Sequence, residues 1–82
     1  PRVEYPRLTV TLGHPGASAD WIDRHVTRPI EGALRAMPGV RTTDAWSREG
    51  ASVTAVRFAW GTDMRHALLL ARERLEALRP TL

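Results

Sequence analysis

The sequence predicts an α+β domain of the split β-α-β type, in which two helices cover one face of an antiparallel sheet. Three observations support this prediction. A segment of alternating apolar and polar residues lies near the start of the chain, and two segments with helical apolar periodicity lie further along it. Between those helical segments lie two stretches rich in Val, Thr, Trp and Phe, separated by a short turn containing glycine. The predicted order of elements is therefore β-α-β-β-α.

The first strand is predicted over residues 7–12. Leu8, Val10 and Leu12 alternate there with two threonines, which is the period of a strand with one buried face. Pro6 limits the start of the strand, because proline has no amide hydrogen to give to a sheet.

The first helix is predicted over residues 18–37, after a turn in which Gly16 supplies an unusual backbone angle. Ser18 is suited to be its N-cap, because a hydroxyl can accept from a free amide of the first turn. Pro29 lies inside the helix and favours a kink there. Pro38 and Gly39 end it. Its apolar stripe consists of Ile22, Val26, Ile30, Leu34 and Met37.

Two further strands are predicted over residues 40–47 and 52–60, as an antiparallel hairpin. In the second of them Val56, Phe58 and Trp60 are expected to share one face. The opposite face holds Val53, Ala55 and Arg57. Because this second face is also partly apolar, we expect another element to cover it.

The last helix is predicted over residues 63–78, with Asp63 as its N-cap. Leu69 and Leu70 place apolar surface outside its main stripe. An Arg72–Glu76 pair on the outward side is typical of an ordinary solvated face. The expected buried stripe is Met64, Ala67, Leu68, Ala71, Leu75 and Leu78.

One more strand after the last helix would complete a ferredoxin-like sandwich. Residues 79–82 look like the beginning of a turn toward it, and the chain begins without an initiator Met. We therefore expect residues 1–82 to be a single subdomain taken from a longer protein, with the final strand missing.

Composition limits the classes of function. The chain has 82 residues, of which 43% are hydrophobic, and a formal net charge of +3. No apolar run approaches the roughly 18–20 residues that span a bilayer. All 12 basic residues are arginine, they are spread along the chain, and 9 carboxylates interrupt them. Because nucleic-acid binding surfaces need clustered basic charge, we expect no nucleic-acid partner.

Catalytic and metal sites are not indicated either. The chain has no cysteine, and its three histidines lie in a turn and on two different helices, without the spacing of metal ligands. Ser18, Ser47 and Ser52 lack an evident base and orienting acid. We expect no enzyme activity, metal or cofactor, and the sequence assigns no role to His14, His25 or His66.

The motifs taken together resemble the first periplasmic porter subdomain (PN1-like) of resistance-nodulation-division (RND), AcrB-like efflux transporters. The resemblance covers nearly the whole chain and rests on segments in the family's order and spacing. These are Glu4-Tyr5-Pro6, Pro15-Gly16-Ala17-Ser18, Val26-Thr27, Pro29-Ile30-Glu31, Gly39-Val40, Ser47 with Gly50-Ala51-Ser52, Phe58, and Gly61-Thr62-Asp63.

The resemblance implies a proton-driven antiporter of the bacterial inner membrane, of which this chain is a periplasm-facing part. It implies a homotrimer that works with a periplasmic adaptor and an outer-membrane channel to export a small molecule. By position in the family's pattern, the last helix would line the central pore through Arg65, Leu69, Glu73 and Glu76. Drug and metal exporters share this subdomain, so the class of substrate is not readable, and the proton-coupling residues would lie outside the chain.

Two other classes remain open. The first is a free-standing ferredoxin-like domain that binds a ligand or RNA, although Trp46, Phe58 and Trp60 do not reproduce the aromatic pattern of RNA-recognition sheets. The second is a small enzyme of the same fold, which the lack of an acid–base constellation disfavours.

Overall fold

The computed structural model describes residues 5–82, so Glu4, the first residue of the resembling motifs, lies outside the described residues. Three antiparallel strands and two helical arms form an α+β sandwich, which confirms the predicted ferredoxin-like class. The elements are β1 (Arg7–Gly13), α1 (Ala19–Ile22), a π-helical turn (Asp23–Thr27), α2 (Arg28–Arg35), β2 (Val40–Arg48), β3 (Ala51–Phe58), α3 (Met64–Leu78) and a 3-10 turn (Arg79–Thr81).

The strand order in the sheet is β1-β3-β2, and both neighbouring pairs are antiparallel. β2 and β3 form the predicted hairpin, in which Arg48 lies opposite Ala51. A register shift between Val40 and Thr42 leaves Arg41 as a bulge. β1 lies at an edge, and among residues 5–82 it pairs only with β3.

The first helical arm, α1 to α2, changes its hydrogen bonding just before Pro29. The amide of Arg28 donates to the carbonyl of Asp23, five residues back, instead of four. Pro29 has no amide hydrogen and its ring needs room beside the preceding turn, and the wider π-helical turn provides that room. The predicted kink is therefore a π-helical turn, and it lets the adjacent residues Val26 and Thr27 both be buried.

The core lies between the sheet and the helices. Phe58 at the end of β3 is fully buried, and α3 contributes two small residues, Ala67 and Ala71. The expected stripe of α3 needs one correction. Leu68 is 39% exposed, whereas Leu70 packs against the core. The buried apolar set is Ile22, Val26, Ile30, Leu34, Met37, Val56, Phe58, Ala67 and Ala71.

The prediction that Trp60 shares the buried face with Val56 and Phe58 is wrong. β3 ends at Phe58, and Trp60 is 59% exposed. The amide of Ala59 donates to the carbonyl of Gly39, and the amide of Thr62 then donates to Ala59. This turn ends the strand before the alternation reaches residue 60. The ring of Trp60 packs instead against Tyr5, with ring centroids 5.7 Å apart.

In the part of the chain that the structure describes, no helix combines the length and the apolar character that crossing a bilayer requires.

Candidate functional site: the exposed face of α3

α3 is capped at its start and is held against the rest of the domain by one hydrogen bond and by its buried inner face. The side chain of Asp63 accepts from the amides of Arg65 and His66, at 3.1 and 3.2 Å, and so caps the helix. Nη1 of Arg74 donates to the carbonyl of Ala33 at 3.3 Å, which links α3 to α2. The buried alanines allow α3 to lie close to the core.

The four residues expected to line a pore lie together on the opposite face of α3. Arg65, Leu69, Glu73 and Glu76 are all exposed. Their steps of 4, 4 and 3 residues place them within one arc of the helix. Leu69 is 61% exposed, more than any other large hydrophobic residue in the described chain. The structure thus shows an unpartnered helix face with one apolar side chain between charged ones.

The ion pair on this helix differs from the expected one. Glu76 binds Arg79 rather than Arg72, with Oε1 2.7 Å from Nη2 and Oε2 3.2 Å from Nε. The chain continues in a 3-10 turn, which brings Arg79 back within reach of Glu76. The hydrogen bond and the charge of Glu76 raise the pKa of Arg79 above its usual value. This bidentate pair fixes the position of the Glu76 carboxylate, and Arg72 is left exposed.

A groove of about 710 Å³ separates α3 from β1. Val10 and Leu12 line it from the strand. Arg72, Leu75 and Glu76 line it from the helix, so Glu76 borders this groove as well as the exposed face, and Arg79 and Leu82 lie at the C-terminal end. The groove runs along the free edge of β1, on the side opposite β3. It is the place where an additional strand would join the sheet.

A buried polar cluster joins the π-helical turn to the sheet, and sequence reasoning missed it. Oγ1 of Thr27 lies 2.7 Å from Oγ of Ser52 and accepts from Ser47 at 2.8 Å. Oγ of Ser47 also lies 3.3 Å from Oδ1 of Asp23. Ser52 and Thr54 lie on the buried face of β3, yet Oγ1 of Thr54 has no hydrogen-bond partner. Serine and threonine at alternate positions facing a helix are the only sequence signal for this cluster.

The histidines do not converge on a metal. Across residues 5–82, no three His, Asp or Glu side chains lie together as potential ligands. The indole of Trp21 instead contacts two imidazoles. It is tilted against His14, with ring centroids 4.7 Å apart, and stacked on His25, with ring centroids 4.6 Å apart. His66 is exposed in the first turn of α3. Aromatic contacts therefore account for two of the three histidines.

The remaining motif residues hold the chain at element ends. Oγ of Ser18 accepts from the amide of Trp21 at 3.1 Å. Gly16 and Gly39 have φ of +89° and +83°, which residues with a Cβ rarely adopt. A Cβ at Gly39 would also lie 3.1 Å from Oγ1 of Thr62. Pro29 follows the π-helical turn, in the first turn of α2.

Comparison with known proteins agrees with this architecture. The family model described as the AcrB/AcrD/AcrF family matches residues 1–82. The swarming motility protein SwrC of Bacillus subtilis (strain 168) is 34% identical over 76 residues, which are 93% of this chain. The chain spans only 7% of the length of that relative. Because the match to the family extends over the whole sequence, the chain belongs to the AcrB/AcrD/AcrF family of RND transporters.

Proposed function

We propose that this chain is a porter subdomain of a proton-driven RND exporter and that the exposed face of α3 lines a pore on the axis of a homotrimer. The observation that carries the proposal is the face itself. Leu69 is 61% exposed on a helix whose other side is firmly packed, and Arg65, Glu73 and Glu76 lie in line with it. Around a threefold axis such a leucine would meet its two symmetry copies.

The wider setting follows from the family, which is membrane-associated. In this proposal the chain faces the periplasm, and a periplasmic adaptor and an outer-membrane channel complete the path of a small exported molecule. The chain makes up a small part of such a protein, as its 7% share of the relative's length illustrates. Proton coupling accordingly belongs to other segments, and the subdomain itself has no catalytic role.

Threefold symmetry would turn the face of α3 into stacked rings. With a rise of about 1.5 Å per residue, Arg65 and Glu73 are separated by about 12 Å along the helix, and Leu69 lies midway between them. Three leucines would form an apolar constriction between a ring of guanidinium groups and a ring of carboxylates. The charged rings hold water, while the leucines control the width of the passage.

The test is transport by the full-length parent. Leu69→Ser and Glu73→Gln are made singly, with Glu49→Gln in the exposed β2–β3 turn as the matched surface control. In cells that lack other pumps, we expect the α3 variants to change dye efflux and resistance by severalfold, at unchanged membrane abundance and trimer content, and the control to match the wild type. Normal efflux by both α3 variants would mean that this face is a solvated surface without a function in export.

The alternative of an RNA-binding sheet gains no support from the geometry. Stacking of bases requires exposed aromatic rings on neighbouring central strands. Phe58 is fully buried, and Trp60 lies outside the strand in a turn. Trp46 is exposed, but it lies on the edge strand β2 and has no second exposed ring beside it on β3. The geometry therefore supports the transporter proposal better than RNA binding.

A further inference from the structure

The face of the sheet opposite the helices has no covering element in the described chain. The helices pack against the side that carries Leu8, Val56 and Phe58. The other side presents a mixed surface of arginine, threonine and apolar residues. We call it the open face, and its residues are Arg7, Thr9, Thr11, Thr42, Asp44, Trp46, Arg48, Ala51, Val53, Ala55 and Arg57.

Two like charges lie directly opposite each other on the open face. Arg7 of β1 and Arg57 of β3 are cross-strand partners, and both are exposed. Opposed like charges destabilise a sheet. Within residues 5–82 the ion pairs are made by Arg28, Arg35 and Arg79, so neither of these two arginines has an anionic partner there.

The open face also carries apolar surface beside the arginine pair. Trp46 is 46% exposed, and its cross-strand neighbour Val53 is half-buried. A depression of about 350 Å³ lies between the indole and the arginines, and Ala55 and Asp44 form part of its lining. Asp44 is the one carboxylate on the open face, against three arginines.

We propose that the open face docks an acidic segment from another part of the same parent protein. A carboxylate of that segment lies between Arg7 and Arg57, and an apolar side chain covers Trp46. A carboxylate there would remove the repulsion and accept charge-assisted hydrogen bonds from both guanidinium groups. The rest of the parent is long enough to provide this segment, because a relative such as SwrC has more than nine-tenths of its chain outside the matched segment. This proposal goes beyond the pore assignment and does not depend on it.

The first experiment measures whether the open face is covered in the purified full-length parent, with native cysteines replaced. Thr9→Cys places a thiol on the open face at an exposed position, and Glu49→Cys places one in the exposed β2–β3 turn. We expect maleimide to label residue 9 at least tenfold more slowly than residue 49, with equal rates after denaturation. Equal rates in the native protein would overturn the proposal. Protection that is present in cells but lost on purification or on nuclease treatment would also overturn it, because the occupant would be a separate molecule.

The second experiment tests the charge of the occupant. In the Thr9→Cys protein, the double change Arg7→Glu with Arg57→Glu should raise the labelling rate at residue 9 to within about threefold of the rate at residue 49. The double change Arg7→Lys with Arg57→Lys keeps both positive charges and should keep residue 9 protected. Arg24→Glu with Arg72→Glu makes the same change of net charge on exposed helix positions and should have no effect. Protection that survives reversal of Arg7 and Arg57 would rule out an acidic occupant. Glu4 precedes β1, and if Glu4→Gln alone released the protection, the carboxylate would be local and the proposal would be wrong.

Discussion

At the scale of single residues, two buried threonines have opposite environments. Oγ1 of Thr27 has two hydroxyl partners, in Ser47 and Ser52, while Oγ1 of Thr54 has none. Both side chains are almost completely buried. A buried polar group with partners contributes to stability, and one without partners lowers it, so identical chemistry has different consequences at the two positions.

Replacing each threonine by valine tests this difference. Thr27→Val leaves the buried Ser52 hydroxyl without its partner and Ser47 with Asp23 alone, so it should lower the free energy of unfolding by about 1–3 kcal/mol. Thr54→Val removes an unpaired hydroxyl at nearly constant volume and should be neutral or slightly stabilising. Urea unfolding of the chain, followed by circular dichroism, gives both values. Equal losses at the two positions would show that the cluster around Thr27 contributes nothing.

Two glycines form a second matched pair at the residue scale. Gly39 has φ of +83°, and an added Cβ would crowd Thr62, whereas Gly32 lies in α2 with open space around it. We expect Gly39→Ala to destabilise the chain by more than about 1 kcal/mol and Gly32→Ala to stabilise it by about 0.4–1 kcal/mol. Thermal unfolding of both variants measures the difference. A Gly39→Ala protein as stable as the wild type would contradict the strained backbone described here.

At the scale of elements, the residues of α3 that stabilise the domain and those with a proposed function lie on opposite faces of the helix. Ala71 is 2% exposed on the inner face, and Leu69 is 61% exposed on the outer face. Residues on the packed side decide whether the domain folds. Residues on the exposed side are free to be selected for a contact or a passage.

Substitutions on the two faces of α3 should therefore differ in their effect on stability. Ala71→Leu overfills a site already in contact with the core and should cost about 1–3 kcal/mol. Leu69→Ala should change the free energy of unfolding by less than about 0.5 kcal/mol. Urea unfolding provides the measurement. A large loss on Leu69→Ala would mean that the leucine is packed, and effects on efflux at this position could then not be assigned to a pore.

The first helical arm shows at the same scale how one residue reshapes an element. The apolar stripe continues past Pro29, as an uninterrupted helix would require. Proline cannot provide the next hydrogen bond, and the backbone widens into a π-helical turn that places Thr27 over β2 and β3. The proline thus accounts for the π-helical turn and, indirectly, for the polar cluster that the turn forms with the sheet.

At the scale of the whole molecule, β1 is an edge strand beside an open groove. The carbonyl of Pro6 accepts from the amide of Phe58, and the amide of His14 donates to the carbonyl of Gly50. By the alternation of an antiparallel ladder, the odd-numbered residues between them direct their amides to the free edge. An edge of this kind readily pairs with another strand.

We expect isolated residues 1–82 to associate through this edge at high concentration. Thr11→Pro removes an amide hydrogen on the free side and leaves the ladder to β3 intact, so it should shift the chain toward the monomer. Sedimentation equilibrium compares the two proteins, with Ala45→Pro as the control, since the amide of Ala45 points away from β3 at the opposite edge of the sheet. A wild-type chain that stays monomeric at high concentration would show that the edge is protected in another way.

More of the structure could be predicted from the sequence in regularly patterned segments than in irregular ones. The alternation at Leu8, Val10 and Leu12 fixes the facing of β1, because the side-chain period of a strand is two. Periodicity could not find the end of β3, because Trp60 continues the alternation while the turn at Ala59 is set by a hydrogen bond to Gly39. The partner of Glu76 was missed for a similar reason, since it depends on a turn after the helix.

The sequence by itself determined the class of fold, the order of elements, the caps and the family, because these depend on local periodicity and on motifs at fixed spacing. Only the tertiary structure decided which polar groups meet. It brought Thr27 to Ser52, set Arg7 opposite Arg57 and left Leu69 exposed. These pairings join residues distant in sequence, and their geometry depends on how the backbone of each element turns, which no single segment specifies.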